Sequence, residues 1–448
     1  MENRCKFWLP RKNRHCANTP LNESLFCGNH TPRSDNQWIP CPIDPSHSVL
    51  KENLEGHVKK CPLLKQVQSL TLQPFYQKGI NAGKEGDEEQ LNEVPSALVE
   101  DIFTSEMKRN AVYSMNVTEF CDLIKKIESV HGLICDDIRD SFKIPEACSV
   151  WINREVDRKL PFQEKHVTQQ ASILGNLEEF GVLKNSNSVG TDRDDDDIPA
   201  VIEFGAGRGY LTQMLADCYG TKRVFLIERK SYKLKADRSL RQKESLTIKR
   251  LRINIEDLNL NAVESLRGVP YMAIGKHLCG PATGNQSLIM LIVKFAIINS
   301  SNSGNHYLTG LSVAPCCHHL CQWKHYTNKK CFLNLGITKE EFHAITWFTS
   351  WAVDADHSSD CYDFTGSKFH LESIGKEECG GLAGGVEDII RNIKAVERAV
   401  LGFMCKQIID MGRSMWIKEC GFEAEFVKYV PPSISPENHL LIAKRPQN

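Results

Sequence analysis

The sequence has no apolar run long enough to cross a bilayer. Its longest, Leu288–Ile298, carries Lys294 and falls short of the ~20 residues a membrane helix needs. No apolar leader stands at the start, so secretion is not expected. Without an oxidising compartment, eighteen cysteines suggest metal ligands more than disulfides. A charge excess is missing too: the net charge of −1 gives no global pull toward nucleic acid. The expectation is an intracellular protein of nucleus and/or cytoplasm, with no membrane contact and no obligate protein partner implied. One core cannot serve 448 residues, so two or three domains are expected.

The dinucleotide fingerprint G-x-G-x-x-G is also absent, but a close variant is present. Residues 201–209 read Val-Ile-Glu-Phe-Gly-Ala-Gly-Arg-Gly, an apolar strand running into three glycines spaced one apart. Glu228 closes a second apolar run 19 residues after the last glycine. Glycines let the backbone turn sharply and come within contact of a ligand. An acid at the end of the second strand can accept hydrogen bonds from both ribose hydroxyls. A pyrophosphate needs the third glycine one residue later. The early glycine, with Glu203 two residues before Gly205, suits a cofactor carrying an ammonium and a carboxylate instead, namely S-adenosylmethionine. A glycine turn with no ligand is the plain alternative. Methyl transfer is the expectation.

The first 66 residues hold two sets of four metal-ligand residues. Cys5, Cys16, Cys27 and His30 are separated by ten, ten and two residues. Cys41, His47, His57 and Cys61 are separated by five, nine and three. Thiolate and neutral imidazole are the donors a tetrahedral structural zinc requires. Segments this polar rarely fold without a staple, so two structural zinc ions are expected. Arg4, Lys6, Arg11, Lys12, Arg14, Lys51, Lys59 and Lys60 surround the ligands, with Phe7, Trp8 and Trp38 interleaved. Cations for phosphate and aromatics for stacking suit RNA; a solvated basic face is the rival reading.

Residues 67–95 are polar and read as linker. From Ser96 to about Phe142 the pattern is helical, with Phe120, Leu123, Ile124, Ile127 and Val130 on one stripe. A second run, Gln169–Leu183, places Ile173, Leu174, Leu177 and Phe180 together. Strands and helices then alternate: Ala200–Phe204, a helix from Tyr210, Val224–Glu228, a helix from about Ser231, Thr247–Ile255, Tyr271–Ile274 and Tyr307–Ala314. A long helix, about Glu387–Ile417, and a terminal strand pair, Glu425–Val430 and His439–Ala443, finish the chain. Such alternation predicts an α/β domain with a mainly parallel, Rossmann-like sheet. Ligands sit at the carboxyl ends of such strands. That rule brings Gly205, Gly207, Gly209, Glu228, the turn carrying Asn254 and Asp257, and Lys276–Gly280 to the cofactor. The span Arg229–Arg252, with ten Lys or Arg against two acids, is a candidate RNA-backbone track. Lys276, His277 and His318 are candidates on the reaction side, where a base must take a hydroxyl proton. A third zinc site at Cys316–His319, or a structural role for the histidines, competes with that assignment.

The chain resembles the eukaryotic tRNA 2′-O-methyltransferases that modify nucleotide 4 of the acceptor stem. The likeness lies in both finger segments, in Lys165-His166-Val-Thr-Gln-Gln-Ala-Ser172, and in Glu203–Gly209. It continues in Lys276–Gly280, Cys316–His319 and Thr349-Ser-Trp351-Ala. It implies a CCCH finger over 1–35, a CHHC finger over 36–66, a linker and helical region over 67–160, and a class I methyltransferase domain over 161–448. It also implies tRNA as substrate and S-adenosylmethionine as cofactor. An RNA-binding adaptor with a vestigial methyltransferase fold is the alternative. Two positions depart from the family's pattern. Gly284 stands where an aspartate is usual, followed by an unfamiliar apolar stretch over 285–305, and Asn254 stands where the third-strand turn usually has aspartate.

Overall fold

The protein is described from a computed structural model that places residues 4–9, 14–17, 19–20, 24–27, 38–43, 47–81, 103–135, 138–156, 162–184, 199–229, 240–241, 243, 246–276, 308–353 and 385–446. The chain forms two compact units, Met1–Gln73 and Pro74–Asn448.

Among its described residues the first unit has little regular structure. Strands β1 (Trp8–Leu9) and β2 (Arg14–His15) make a short antiparallel pair, as do β3 (Trp38–Pro40) and β4 (Ser48–Leu50). Helices α1 (Leu54–Lys60) and α2 (Leu64–Thr71) follow, and neither buries a residue fully. The cysteines themselves are the buried centres: Cys5, Cys16 and Cys27 in one cluster, and Cys41 and Cys61 with Val49 in the other.

The second unit begins with a strap over 74–81, then α3 (Ser105–Tyr113) and α4 (Val117–Ile134). Asn116 and Glu119 start α4 with a capping box: each side chain accepts the other's backbone N–H at 2.9 Å, which satisfies two otherwise orphaned donors. The short α5 (Ser149–Ile152) and α6 (Glu164–Glu179) lead into the sheet. Its strands are β5 (Ala200–Phe204), β6 (Arg223–Ile227), β7 (Thr247–Leu251), β8 (Tyr271–Lys276), β9 (Leu308–Ala314), β10 (Glu423–Lys428) and β11 (His439–Lys444). Helix α7 (Tyr210–Tyr219) joins the first two. The order across the sheet is β10-β11-β9-β8-β5-β6-β7. Five neighbours from β9 to β7 are parallel, and β11 runs antiparallel between β9 and β10. Parallel strands buried on both faces read as continuous apolar runs, and all five residues of β5 are buried. This is the class I methyltransferase sheet, with its reversed strand inserted near one edge.

The outer edge strand β10 is covered by residues 139–141, which bridge to Lys428: its carbonyl accepts from Ser141 N at 2.7 Å, and its N–H donates to Arg139 O at 3.0 Å. That pairing protects an edge otherwise open to other chains. One core holds α6, α7 and the inner strands. The other holds the α4 stripe Phe120, Leu123, Ile124, Ile127 and Val130 against Leu401, Cys405, Ile408 and Ile409 of the helix Ala395–Glu419. The helical region expected as a segment between fingers and enzyme is therefore built into the second unit, and the strap occupies part of the expected linker.

Two further expectations change. The single helix over 387–417 is two, Val386–Asn392 and Ala395–Glu419. Ile393 and Lys394 are extended between them, which drops the Ile393 side chain into the core; Glu397 accepts the Lys394 N–H at 3.2 Å and restarts the helix. The third strand stops at Leu251 instead of Ile255, leaving Asn254 at the head of a turn. The helix expected from Ser231 lies outside the described residues.

Candidate functional site

At the carboxyl end of β5 the chain turns through Gly205, Gly207 and Gly209, with φ of 61°, 50° and 80°. All three lie in the left-handed region that favours glycine. A Cβ on Gly207 would have Gly205 O at 3.9 Å as its nearest neighbour, so the space in front of this turn is open. The turn is held from two sides. Gly207 N donates to Glu228 Oε2 at 3.0 Å, and Gly207 O accepts from Arg250 Nη1 at 3.1 Å. Glu228, just past β6, and the glycine loop thus form one rigid corner at the strand ends.

Glu203 lies beneath that corner, 4 % exposed. Its Oε2 accepts from Thr212 N at 3.2 Å and from the Thr212 hydroxyl, which binds the first turn of α7 to the strand. The carboxylate orders the turn from below. Burial pushes its pKa up to about 7, against the Thr212 hydrogen bonds and the charges of Arg250 and Lys276. Lys276, the last residue of β8, is pushed down to about 8 by burial, with Glu203 opposing. His166, near the start of α6, is also held below the usual imidazole range, first by burial and then by the Lys276 charge. His166 was legible only as part of the family-like run, with no role attached.

The Glu203 shift has a measurable sign. Its folded pKa of about 7 exceeds the ordinary 4.5, so the folded state holds the extra proton between those values. The group's contribution to stability is full below pH 4.5 and is lost as pH rises through 7. Glu203→Gln keeps an oxygen for Thr212 and does not titrate. Denaturant titrations at pH 5 and 7.5 should therefore show a smaller loss of stability in the variant, by about 1–3 kcal/mol. Parallel pH profiles in the two proteins would refute this account of Glu203.

Beyond β7, Asn254 heads the turn through Asp257, and its Oδ1 is buried with no hydrogen-bond partner. Such an oxygen marks a place where a donor belongs. Asp257 is placed differently from expectation. Its Oδ1 accepts from Gly79 N at 2.8 Å, so this carboxylate serves the strap.

His318 also differs from the sequence reading. It is 2 % exposed, and its Nε2 lies 2.8 Å from Asp410 Oδ2 on the helix Ala395–Glu419. Arg413 completes the network, donating Nη1 to Asp410 Oδ1 at 2.5 Å and Nη2 to Cys321 Sγ at 3.2 Å. Burial would raise the Asp410 pKa, but His318 and Arg413 outweigh it and hold the carboxyl below its usual range. An imidazole packed into that network is a post for the turn after β9, closed to a ribose, and Cys317 in the left-handed region (φ 53°) shows how tightly the turn is bent. Lys108 on α3 supports the same turn, donating to His319 O at 2.9 Å and Cys321 O at 2.7 Å. Its near-complete burial was not legible from a polar position on a helix. His277, Gly280 and Gly284 lie outside the described residues.

In the first unit, Cys41, His47, His57 and Cys61 bring their donor atoms within 4.8 Å of one another. The separations are 3.9 Å between the two Sγ, 3.0 Å between the two Nε2, and 3.2 and 3.6 Å between nitrogen and sulfur. Zinc bonds of roughly 2.0–2.3 Å at tetrahedral angles place ligand atoms about 3.3–3.8 Å apart, so the residues fit that ion. Cys5, Cys16 and Cys27 converge likewise; His30 lies outside the described residues. Among the described residues no third group converges, which removes the Cys316–His319 zinc alternative there. Phe7 and Trp8, just before and at the start of β1, are exposed, with the Trp8 ring set edge-on against His15 at 5.0 Å.

A class I sheet with a glycine turn at the carboxyl end of its central strand, in one chain with two finger segments whose cysteines and histidines converge, defines a zinc-finger methyltransferase. The chain belongs to a family described as Methyltransferase TRM13, whose signature matches residues 168–444. A CCCH zinc finger in TRM13 protein matches residues 3–31, and a U11-48K-like CHHC zinc finger matches 38–62. Relatives carry the name tRNA:m(4)X modification enzyme TRM13. A protein of that name from Oryza sativa subsp. japonica is 53 % identical over 239 residues, 52 % of this chain and 91 % of that one. The Mus musculus homolog is 30 % identical over 99 % of this chain and 94 % of its own length. The Saccharomyces cerevisiae protein is 25 % identical over 97 % and 94 %. No described helix is long and apolar enough to cross a membrane.

Proposed function

We propose that the protein transfers a methyl group from S-adenosylmethionine to the ribose 2′-hydroxyl of nucleotide 4 in the tRNA acceptor stem. The observation that carries the cofactor assignment is the glycine corner braced by Glu228, together with Asn254 in the turn after β7, whose Oδ1 has no partner among the described residues. Gly205, Gly207 and Gly209 leave room for close approach. Glu228 accepts from the ribose hydroxyls, and Asn254 Oδ1 accepts from the adenine amino group. A bound cofactor supplies an electrophilic methyl on a sulfonium. Lys276 stands at the carboxyl end of the next strand, its basicity lowered by burial. It orients the 2′-hydroxyl and takes up its proton as oxygen becomes the nucleophile, with His277 as a second candidate beside it. Two zinc ions, one per finger, hold the first unit, whose exposed Phe7 and Trp8 among Arg4, Lys6 and Arg14 suit stacking and phosphate contact with RNA.

The test is to incubate the purified chain with methyl-labelled S-adenosylmethionine and RNA, protein or metabolite extract. Label should enter the tRNA pool and sit at a linkage resistant to alkaline cleavage. Label in protein or metabolites would overturn the substrate class, and an alkali-labile linkage in tRNA would overturn the 2′-oxygen.

A further inference from the structure

Residues 74–81 do more than connect. They lie along the turn after β7 and supply hydrogen bonds to almost every carbonyl in it. Gln77 N donates to Asp257 O at 2.8 Å, and Asn81 N to Glu256 O at 3.0 Å. The Asn81 side chain donates twice from Nδ2, to Ile255 O at 2.9 Å and Leu258 O at 2.8 Å. Gly79 N adds a further strap donor, to Asp257 Oδ1 at 2.8 Å; in the other direction Asn259 N donates to Phe75 O at 2.9 Å, and Tyr76 bridges to Leu258 in antiparallel fashion. Within itself the turn has little to fix its shape: Asp257 N bonds Asn254 O at 3.0 Å and Leu258 N bonds Ile255 O at 3.2 Å. Four consecutive carbonyls, 255 to 258, therefore each accept a hydrogen bond from a segment about 175 positions earlier in the chain, and Ile255 O also accepts one from within the turn itself.

Hydrogen bonds are directional, so a strap built from them sets backbone angles in a way that apolar packing does not. What those angles position is Asn254, whose buried Oδ1 has no partner among the described residues. We propose that residues 74–81 are a positioning strap for the cofactor site, with Asn81 as its main clamp and Asp257 as its anchor. The strap holds the Asn254 turn at the angle that presents Oδ1 to the cofactor's adenine. The proposal deepens the cofactor reading above and rests on it. The strap starts at Pro74, the residue after the finger unit ends. The chain leaving the fingers is thus itself part of the machinery that shapes the cofactor pocket.

The test uses the full chain, with S-adenosylmethionine affinity read by calorimetry and steady-state kinetics run alongside. Asn81→Ala removes two side-chain hydrogen bonds and should raise the Kd and KM for S-adenosylmethionine about five- to twentyfold. The kcat at saturating cofactor and the KM for tRNA should stay within about twofold, a split that general loss of stability does not produce. Asp257→Ala should weaken cofactor binding in the same way. Asp257→Asn keeps an oxygen for the Gly79 amide and should recover most of the affinity, whereas a direct contact between the Asp257 charge and the cofactor predicts no recovery. Hydrogen exchange should also quicken at the amides of Asp257 and Leu258 in Asn81→Ala. Unchanged cofactor affinity in Asn81→Ala, or a fall in melting temperature with affinity intact, overturns the strap alone. A wild-type chain that binds no S-adenosylmethionine overturns the cofactor reading and the strap together.

Discussion

Chelation of metal is expected to unfold residues 1–73 and leave the methyltransferase unit standing. The reason is how little else holds the described residues of the first unit. Among the described residues, one buried cluster consists of Cys5, Cys16 and Cys27 with Phe26 packed alongside, and three of those four are proposed metal ligands. The other adds Val49 and a few partly buried aliphatics to Cys41 and Cys61. Strands of two or three residues and two helices with no fully buried side chain contribute little beyond that. Structural zinc in small fingers supplies about 10–16 kcal/mol of apparent binding free energy, which is also folding free energy. Elemental analysis should return about two zinc equivalents per chain, one for each set of four ligands. After chelation, limited proteolysis should cut within 1–73 and spare the rest. Cys41→Ser should weaken tRNA binding by about tenfold or more while cofactor affinity stays within about twofold, because the metal and the glycine corner belong to separate units. Continued protection of residues 1–73 without metal would sink this account.

The parts of the fold that were legible share one property: local pattern and tertiary role agree. The strands β5, β6, β8 and β9 were visible because a parallel strand covered on both faces is a bare apolar run, and those runs lie within a residue or two of the sheet's own strands. The α4 stripe was visible because 3.6-residue spacing survives any packing arrangement. What sequence could not reveal was which element packs on which. Nothing in a polar stretch near residue 80 announces that Asn81 satisfies carbonyls at 255 and 258. The break at Ile393 was hidden for a related reason. Lys394 carries no cap signature, and the extended backbone is stabilised by burial of Ile393, a tertiary effect. The glycine turn and the strand-end position of Glu228 were legible as local features, because positive φ and the end of an apolar run leave their mark in the sequence. His318 and Asp257 were not, because a histidine or aspartate at a strand end looks the same whether it faces a ligand or its own protein. Asp410 and Arg413, which capture His318, stand about 92 residues away on the last long helix, beyond the reach of any motif.

Gly207→Val should abolish measurable binding of S-adenosylmethionine while the fold survives. Two effects act together. Gly207 sits at φ 50°, where a β-branched residue is strongly disfavoured, costing of the order of 1–3 kcal/mol in the turn alone. Among the described residues a Cβ at this position has no atom closer than Gly205 O at 3.9 Å, so a valine would project into the space the cofactor needs. Relief of the strain would rotate the peptide and pull Gly207 N from Glu228 Oε2 and Gly207 O from Arg250 Nη1, loosening the corner from both sides. A loss of more than about 3 kcal/mol corresponds to more than about a hundredfold in Kd, below detection in a calorimeter for a cofactor bound at micromolar strength. The melting temperature should fall by only a few degrees, since the open position packs against no core side chain. Glu228→Ala provides the graded comparison. It removes a charged acceptor from the ribose hydroxyls and frees the Gly207 amide, and it should weaken binding about 10- to 100-fold. If calorimetry returns wild-type affinity for both variants, the cofactor does not occupy the glycine corner. Binding lost in Gly207→Val but intact in Glu228→Ala would keep the cradle and remove the ribose contact, leaving Glu228 as a brace for the turn.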